Sequence, residues 1–444
     1  MTSTVAYQVR LYVVRGTAGE ISEGIRNLIS AGVLAPGDAL PPIRALADDL
    51  EVHRNTVAGA YRLLVAGGVV ETQGRRGSFV RAIPFLEGEG GTALPGSVDL
   101  ASGNPDPALL PDLRASLDRT TYTPRLYGAA ATEPLLDSWA RSSIEDEVPR
   151  PCSITITNGA VDAVERLLTA HLTRGDAVAI EDPCFLASIG TLKANSFRAV
   201  PMDIDTSGIT PQGLLRALES GVRAIICTPR AHNPTGVSMS ADRAAILGSI
   251  LAEFPHVLVI EDDHFSAVSS NRYCRLAPMS TTRWALVRSV SKFLGPDLRV
   301  AVVASDLDTG IRLSTHLRSG ANWVSHLQQR LSAELLSDPT VIDGLADARA
   351  VYERRRTLLK SALSEHDIEV PDTFDGLNVW VPLDRDSEPI VERLAESGWL
   401  VRDGSQFSAT PGQCHRALRV TASTLTSDQA REFASALAEI LASP

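Results

Sequence analysis

Lysine is almost missing from this chain. It occurs three times in 444 residues, at Lys193, Lys292 and Lys360, out of 42 lysines and arginines together, so arginine serves wherever a general cation is needed. Aromatic residues make up 5% and the formal net charge is -11, which excludes a histone-like basic binder. No apolar run is long enough to suggest a membrane span. Met1 to Arg15 shows no positive flank leading into an apolar stretch and a small-residue cleavage site, so no secretory signal is expected. The five cysteines, Cys152, Cys184, Cys227, Cys274 and Cys414, lack CxxC spacing; this argues against zinc and disulfide frameworks, and buried free thiols in a cytoplasmic protein are expected, with no metal site. No internal repeat stands out. With 44% apolar residues, what remains is a globular chain long enough for two or three domains.

The charge is unevenly placed. Residues 1–82 hold nine arginines, no lysine and seven acidic residues, about +2, which leaves about -13 for the rest. Such asymmetry points to a nucleic-acid-facing end. Ile21, Ile25, Leu28 and Ile29 lie on one helical face, Ile43, Leu46, Ala47 and Leu50 on a second, and Val57, Tyr61 and Leu64 on a third. Three short amphipathic helices, the last two separated by Leu50-Glu51-Val52, fit a helix-turn-helix that projects His53, Arg54, Asn55 and Thr56 toward a DNA groove. Val69 to Arg81 reads as a wing. Its apolar strands flank Gln73-Gly74-Arg75-Arg76-Gly77, where glycines permit a sharp turn and Arg75 and Arg76 meet phosphates.

The run Leu34-Ala35-Pro36-Gly37-Asp38-Ala39-Leu40-Pro41, followed by Arg44, Arg54-Asn55-Thr56-Val57, Ala60-Tyr61 and Gly77-Ser78-Phe79-Val80, resembles the winged helix of GntR-family regulators. The resemblance implies that Arg44, Arg54, Asn55, Thr56, Tyr61 and the wing at Gly77 contact double-stranded operator DNA. Two departures stand out. Pro42-Ile43 occupies a place where that family commonly has small hydroxyl residues, and His53 replaces a usual serine that would cap the recognition helix, so an unusual DNA preference is expected. A winged helix kept only for dimerisation or packing is the alternative.

Residues 83–98 contain Gly88, Gly90, Gly91, Gly96, Pro84 and Pro95 with little apolar periodicity, the composition of a linker. From Asp99 onward short apolar runs alternate with helical stretches. Ala177 to Ile180, Ala199 to Met202, Ala224 to Cys227, Val257 to Ile260, Ala285 to Val287 and Val300 to Ala304 read as buried strands of a mostly parallel α/β sheet. Val341 to Pro444 holds a long arginine-rich helix and the strands Leu377 to Val381 and Leu418 to Val420, a smaller C-terminal lobe. The expected division is a DNA-binding domain at 1–82, a linker at 83–98, a large domain at 99–330 and a small domain at 331–444.

One of the three lysines sits in Ser289-Val290-Ser291-Lys292-Phe293-Leu294-Gly295-Pro296-Asp297-Leu298-Arg299. Where arginine supplies nearly all the charge, a retained lysine suggests chemistry that needs a primary amine: a Schiff base with an aldehyde cofactor. The neighbouring hydroxyls and Arg299 can hold a phosphate. Aldehyde and phosphate together suggest pyridoxal phosphate; a plain lysine at a strand end has the same local pattern. Four other segments converge on this reading. Thr157-Asn158-Gly159-Ala160-Val161 leads from a strand into a helix whose amides suit a phosphate. Phe185, after a strand ending in Glu181-Asp182, can stack on a pyridine ring. Asn233, in His232-Asn233-Pro234-Thr235-Gly236, can donate to the ring's phenolic oxygen. Glu261-Asp262-Asp263-His264 ends another strand, and an ionised Asp262 beside the pyridine nitrogen would keep it protonated as an electron sink.

The order and spacing of these segments resemble fold-type I aminotransferases. The resemblance implies Lys292 as the internal aldimine, Asp262 at the ring nitrogen, Asn233 at the ring oxygen, Phe185 stacking, and Gly159, Ala160, Ser289 and Arg299 around the phosphate. It further implies that Tyr127 reaches the phosphate across a dimer interface, that Arg419 binds a substrate carboxylate, and that Asn104 belongs to a segment covering the ligand. The family usually has a tyrosine two or three residues after the ring aspartate, but His264 and Phe265 stand there. An altered imine pKa is therefore expected.

Winged helix, linker and aminotransferase-like domain in one chain resemble the MocR subfamily of GntR regulators. That implies a homodimer in which a small amino compound, or pyridoxal phosphate itself, is sensed through aldimine exchange at Lys292 and changes DNA affinity by linkage. The alternative is a pyridoxal-phosphate aminotransferase or related enzyme that retains an accessory winged helix.

Overall fold

Val5, Val9 and Val13 recur at every fourth position ahead of the three helices expected from the sequence, and they mark a fourth. The computed structural model describes residues 2–72, 76–81, 89–90, 96–121, 123–149, 151–372, 374–410 and 412–443. It divides into two units, Met1–Phe85 and Leu86–Pro444. In the first, α1 (Thr2–Tyr12) buries Val9 and, just beyond its end, Val13 against α2 (Ala18–Ser30), α3 (Ile43–Asp49) and α4 (Arg54–Ala66). Helix α2 starts with a capping box: the Thr17 hydroxyl accepts from the Glu20 amide, and the Glu20 carboxylate accepts from the Thr17 amide. Such caps contribute about 0.5–2 kcal/mol.

The wing is β1 (Val70–Thr72) paired antiparallel with β2 (Ser78–Val80). The motif at residues 34–41 has a physical reason here. Asp38 accepts from the Ala35 amide, Gly37 turns at φ +88, and the emerging chain pairs with β2 through Gly37 N to Val80 O at 2.8 Å and Leu40 N to Ser78 O at 2.8 Å. Arg75, with Gln73 and Gly74, lies outside the described residues, as does most of the expected linker.

The second unit is built on a sheet of eight strands: β4 (Ser153–Thr157), β5 (Ala177–Asp182), β6 (Arg198–Asp205), β7 (Gly208–Ile209), β8 (Ala224–Cys227), β9 (Leu258–Asp262), β10 (Trp284–Ser289) and β11 (Ala301–Ser305). Their order is β4-β11-β10-β9-β8-β5-β6-β7. Strands β6, β5, β8, β9 and β10 are parallel, β11 is antiparallel to both neighbours, and β7 is antiparallel to β6. Apolar cores cover both faces, which is why β5, β8, β9 and β10 are buried along their whole lengths rather than alternating. Because β11 reverses direction, β4 runs parallel to β10. The carboxyl ends of β4, β5, β8, β9 and β10, and the start of β11, therefore share one edge.

The smaller lobe has its own core around β12 (Asn378–Pro382) and β15 (Ala417–Thr421), with β14 (Arg402–Asp403) on the other side of β15. Strand β3 (Val98–Asp99) pairs parallel with β13 (Trp399–Leu400), and Leu100 is buried in this same core. The small lobe thus takes in the first strand after the expected linker. The long helix Pro339–Ser364 serves both cores: Leu345, Ala348 and Tyr352 pack with the large domain, Leu359, Ala362 and Leu363 with the small one. The passage between lobes falls inside this helix, later than the position near residue 330 expected from the sequence, because Leu331, Leu335 and Leu336 also belong to the large core.

The cysteine expectation needs a correction. Cys152, Cys184 and Cys227 are buried, but Cys274 is half-buried and Cys414 exposed, since its loop ahead of β15 lies at the surface. Among the described residues, no helix is long and apolar enough to cross a membrane.

Candidate functional site

The shared sheet edge assembles the segments singled out in the sequence. Lys292 follows β10, and its Nζ donates to Gly103 O at 2.8 Å. Burial pushes its ammonium pKa below the ordinary lysine value, with Arg419 adding to the effect and Glu89 and Asp262 opposing it. Asp262 ends β9. Its Oδ2 lies 3.4 Å from His264 Nδ1, while its buried Oδ1 has no hydrogen-bond partner among the described residues. Neither ring nitrogen of His264 has a hydrogen-bond partner there either. The His264 ring is nearly parallel to Phe185, at 28° with centroids 5.9 Å apart, and lies 4.6 Å from Phe265.

A turn of the kind that can receive a phosphate lies at the start of the helix Ala160–His171. Gly159 precedes it at φ +93, and a β-carbon there would stand 2.7 Å from Arg299 Nη2, so only glycine lets Arg299 approach. That guanidinium donates to Asn158 O at 2.8 Å from a left-handed residue at φ 49. Ser289 joins Ser291 through their hydroxyls at 3.0 Å. Free amides at a helix start, an arginine and hydroxyls make a phosphate-binding donor set. With the orphaned, buried Asp262 Oδ1, which could accept from a protonated ring nitrogen, these residues fit pyridoxal phosphate.

On the opposite wall, Arg419 projects from β15 and is fully buried. Its Nη1 donates to both oxygens of Glu89, at 2.7 and 2.9 Å, and to Asn233 Oδ1 at 3.2 Å; its Nη2 donates to Ala101 O; and its guanidinium lies 5.2 Å from the Phe407 ring centre. Asn233 Nδ2 donates to Glu89 Oε1 at 2.7 Å, and Asn378 Nδ2 fixes Asn233 Oδ1 from β12 at 3.3 Å. Glu89 and Asn378 were not foreseen. Asn378 carries no local signal, and Glu89 sits in a glycine-rich stretch whose composition reads as linker.

Two expected residues are not brought to this site within the chain. Tyr127 is 88% exposed, its ring 5.4 Å from Trp323. The Asn104 side chain is exposed; its segment touches the site through the Gly103 and Ala101 carbonyls, while Asn104 O accepts from Ser423 Oγ.

In the first unit, Arg44, His53, Arg54, Asn55, Arg76 and Gly77 are exposed and Thr56 is half-buried. His53 replaces the lost serine in function as well as position: its Nδ1 accepts from the Asn55 amide at 3.2 Å and caps α4. Pro42 caps α3 without any side-chain hydrogen bond. Tyr61 is placed inside, 4% exposed, its hydroxyl donating to Pro41 O at 2.7 Å, so it braces α4 against the entry to α3 instead of facing outward. Burial pushes its phenol pKa well up.

Comparison with known proteins agrees with this division. The family described as "Aminotransferase class I and II" matches residues 96–437, and "Bacterial regulatory proteins, gntR family" matches residues 17–80. The chain is 46% identical over 426 residues, 96% of its length and 98% of the relative's, to the vitamin B6 salvage pathway transcriptional repressor PtsJ of Salmonella typhimurium. It is 25% identical to the pyridoxine biosynthesis transcriptional regulator PdxR of Corynebacterium glutamicum, over 85% of this chain and 86% of that one. In fold, it matches a kynurenine aminotransferase of Pyrococcus horikoshii with a TM-score of 0.72 at 21% identity, over 78% of this chain and 91% of that one.

Proposed function

This chain belongs to the aminotransferase class I and II family and, through the gntR-family domain ahead of it, to the MocR type of transcriptional regulator; from that premise we propose that it is a cytoplasmic homodimer that reports on vitamin B6 or a small amino compound at Lys292 and adjusts its grip on operator DNA accordingly. The observation that carries this reading is the meeting of Lys292, Asp262 and Asn233 at one sheet edge, in a chain whose other unit presents Arg54 and Asn55 at a capped, exposed helix start.

Pyridoxal phosphate, when bound, supplies a carbonyl that primary amines can take in exchange and a ring nitrogen that draws electron density. The chain's own residues do the rest. Gly159, Ala160, Ser289 and Arg299 hold the phosphate; Phe185 and His264 bound the ring; Asp262 keeps a proton on its nitrogen. Lys292, its pKa lowered by burial, offers an unprotonated Nζ at neutral pH more readily than a surface lysine could. Tyr127, exposed in its own chain, is free to reach the phosphate of a second copy. Arg44, His53, Arg54, Asn55, Thr56, Arg76 and the wing at Arg75 and Gly77 meet DNA, while Tyr61 supports them from inside.

A ligand changes DNA affinity only through its unequal affinity for the two arrangements of the protein. The test is a gel shift on DNA upstream of the chain's own coding sequence, at stated salt and with nonspecific competitor, with and without pyridoxal phosphate and simple amines. Specific retention that shifts with ligand in the wild type but not in Lys292→Ala supports the reading. Equal responses, or no specific retention, would sink it. Multiple turnover of an amino acid with a keto acid would point to the aminotransferase alternative.

A further inference from the structure

The carboxylate-binding wall of the site already holds a carboxylate, and it belongs to the chain. Glu89 lies three residues beyond Leu86, where the second unit begins. Both of its oxygens take hydrogen bonds from Arg419 Nη1, and Oε1 also accepts from Asn233 Nδ2. The carboxylate lies so close to Gly103 that a β-carbon there would stand 2.4 Å from Oε2, and Gly103, at φ +66, is the residue whose carbonyl accepts from Lys292. The attachment is not a chance touch of a long side chain. The next residue, Gly90, is fixed at both ends of its peptide: its amide donates to Ser102 O at 3.0 Å and its carbonyl accepts from Arg402 Nη2 at 2.7 Å. Burial pushes the Glu89 carboxyl pKa up, but the charges of Arg419 and Lys292 and the hydrogen bonds from Arg419 and Asn233 outweigh that and hold it below the ordinary value, so Glu89 is an anion.

We propose that Glu89 is the specificity-determining residue of this site: a resident carboxylate on Arg419 and Asn233 that admits amines or cofactor lacking a carboxylate and makes α-amino acids compete with the chain itself. This rests on the reading of the site given above. Arg419 is fully buried, and its Nη1 is already taken by both Glu89 oxygens and Asn233 Oδ1, so a second carboxylate meets a guanidinium whose charge is paired and reaches only the donors left beside Ala101 O. Two carboxylates on one buried guanidinium would repel each other in a poorly screened setting. An incoming amino acid must therefore expel Glu89, and with it loosen Gly90 from Arg402 and Ser102. An amine without a carboxylate need not.

Chemical rescue of the full-length protein tests this. Glu89→Ala and the milder Glu89→Gln are melted without cofactor in acetate, in acetamide and in chloride at equal ionic strength. Acetate is expected to raise the melting temperature of either variant by about 2 °C or more over chloride. Acetamide and the wild type should show no such gain. No acetate-specific gain in whichever variant folds, or an equal gain in the wild type, overturns the proposal. A second arm uses protein loaded with pyridoxal phosphate and follows the cofactor absorbance on titration with L-alanine and with ethylamine. Glu89→Gln should favour L-alanine over ethylamine by about tenfold more than the wild type does; an unchanged ratio counts against Glu89. Failure to take up pyridoxal phosphate would strike the proposed function alone, because the acetate arm needs no cofactor.

Discussion

The arginines around the recognition helix and those around the sheet edge are held in opposite ways. In the winged helix, Arg44, Arg54 and Arg76 are exposed and make no ion pair among the described residues. In the larger unit, Asp263, fully buried, is gripped by Arg230 at 2.7 and 2.8 Å and by Arg288 at 2.8 Å, and Arg419 is closed on Glu89. An exposed arginine loses little hydration until a phosphate arrives, so its charge is available to DNA. A buried arginine has already lost its water and must keep its anion, so its charge fixes geometry. The same residue type, chosen almost to the exclusion of lysine, is thus left unpaired at the surface in Arg44, Arg54 and Arg76 and locked to carboxylates in Arg230, Arg288 and Arg419.

The comparison breaks most completely at Lys292, the half-buried cation to which the proposed function gives a covalent task. Lys292→Ala should lose all covalent cofactor attachment: after borohydride treatment, mass spectrometry should find cofactor mass on the wild type and none on the variant, while basal DNA binding persists. Next in size, Asp263→Ala leaves Arg230 and Arg288 buried without their shared anion. Removing one partner of such a cluster costs about 3–5 kcal/mol. Denaturant melts followed by tryptophan fluorescence should show that loss, since all five tryptophans lie in the second unit; an unchanged midpoint would show the cluster to be dispensable.

Asp182 sharpens the picture with a pH dependence. At the end of β5 it accepts from His415 at 2.6 Å, from Thr410 at 2.6 Å and from the Ala409 amide, holding the loop before β15 against the large domain. Burial pushes its pKa up, but these hydrogen bonds and the His415 charge outweigh that and hold it below the ordinary aspartate value. The stability it adds is thus complete above about pH 3.9 and is lost as pH falls through the lower folded value. Asp182→Asn should cost about 1.5–3 kcal/mol at neutral pH, and the difference from wild type should shrink in acid. On the other side of the comparison, Arg54→Ala should weaken operator binding about tenfold and lower the salt slope by about 0.9 for each phosphate that Arg54 neutralises, with no change in melting temperature.

What the sequence reveals follows the same division. Strands buried on both faces are continuous apolar runs, so β5, β8, β9 and β10 could be read directly, as could Lys292 and Asp262 at their ends. The antiparallel turn of β11 could not, since pairing direction leaves no mark on a fully apolar strand. Helix α1 was not foreseen: the four-residue spacing of Val5, Val9 and Val13 gains meaning only from the core that buries Val9 and Val13. Glu89 was hidden because its partners, Asn233 and Arg419, lie 144 and 330 residues away, and glycine-rich composition around it suggests only a loop. Tyr61 runs the other way: the resemblance placed it among expected DNA contacts, but it is buried and its hydroxyl finds a backbone carbonyl inside the unit, a packing role.

The smallest effect expected here tests whether the winged helix is as independent of buried geometry as its exposed arginines suggest. Helix α4 begins with four amides that lack partners within the helix, and His53 Nδ1 satisfies the one on Asn55. A ring nitrogen can accept in this way only when its proton sits on Nε2, a narrower requirement than a serine hydroxyl imposes. His53→Ala should destabilise the first unit by about 1 kcal/mol, read as increased amide exchange at the start of α4, and should weaken DNA binding by more than the loss of one exposed side chain because Arg54 and Asn55 lose their fixed start. His53→Ser should restore the cap while removing the imidazole. If the serine variant regains both amide protection and DNA affinity, His53 acts by ordering its neighbours; if it regains protection alone, the imidazole itself meets the DNA.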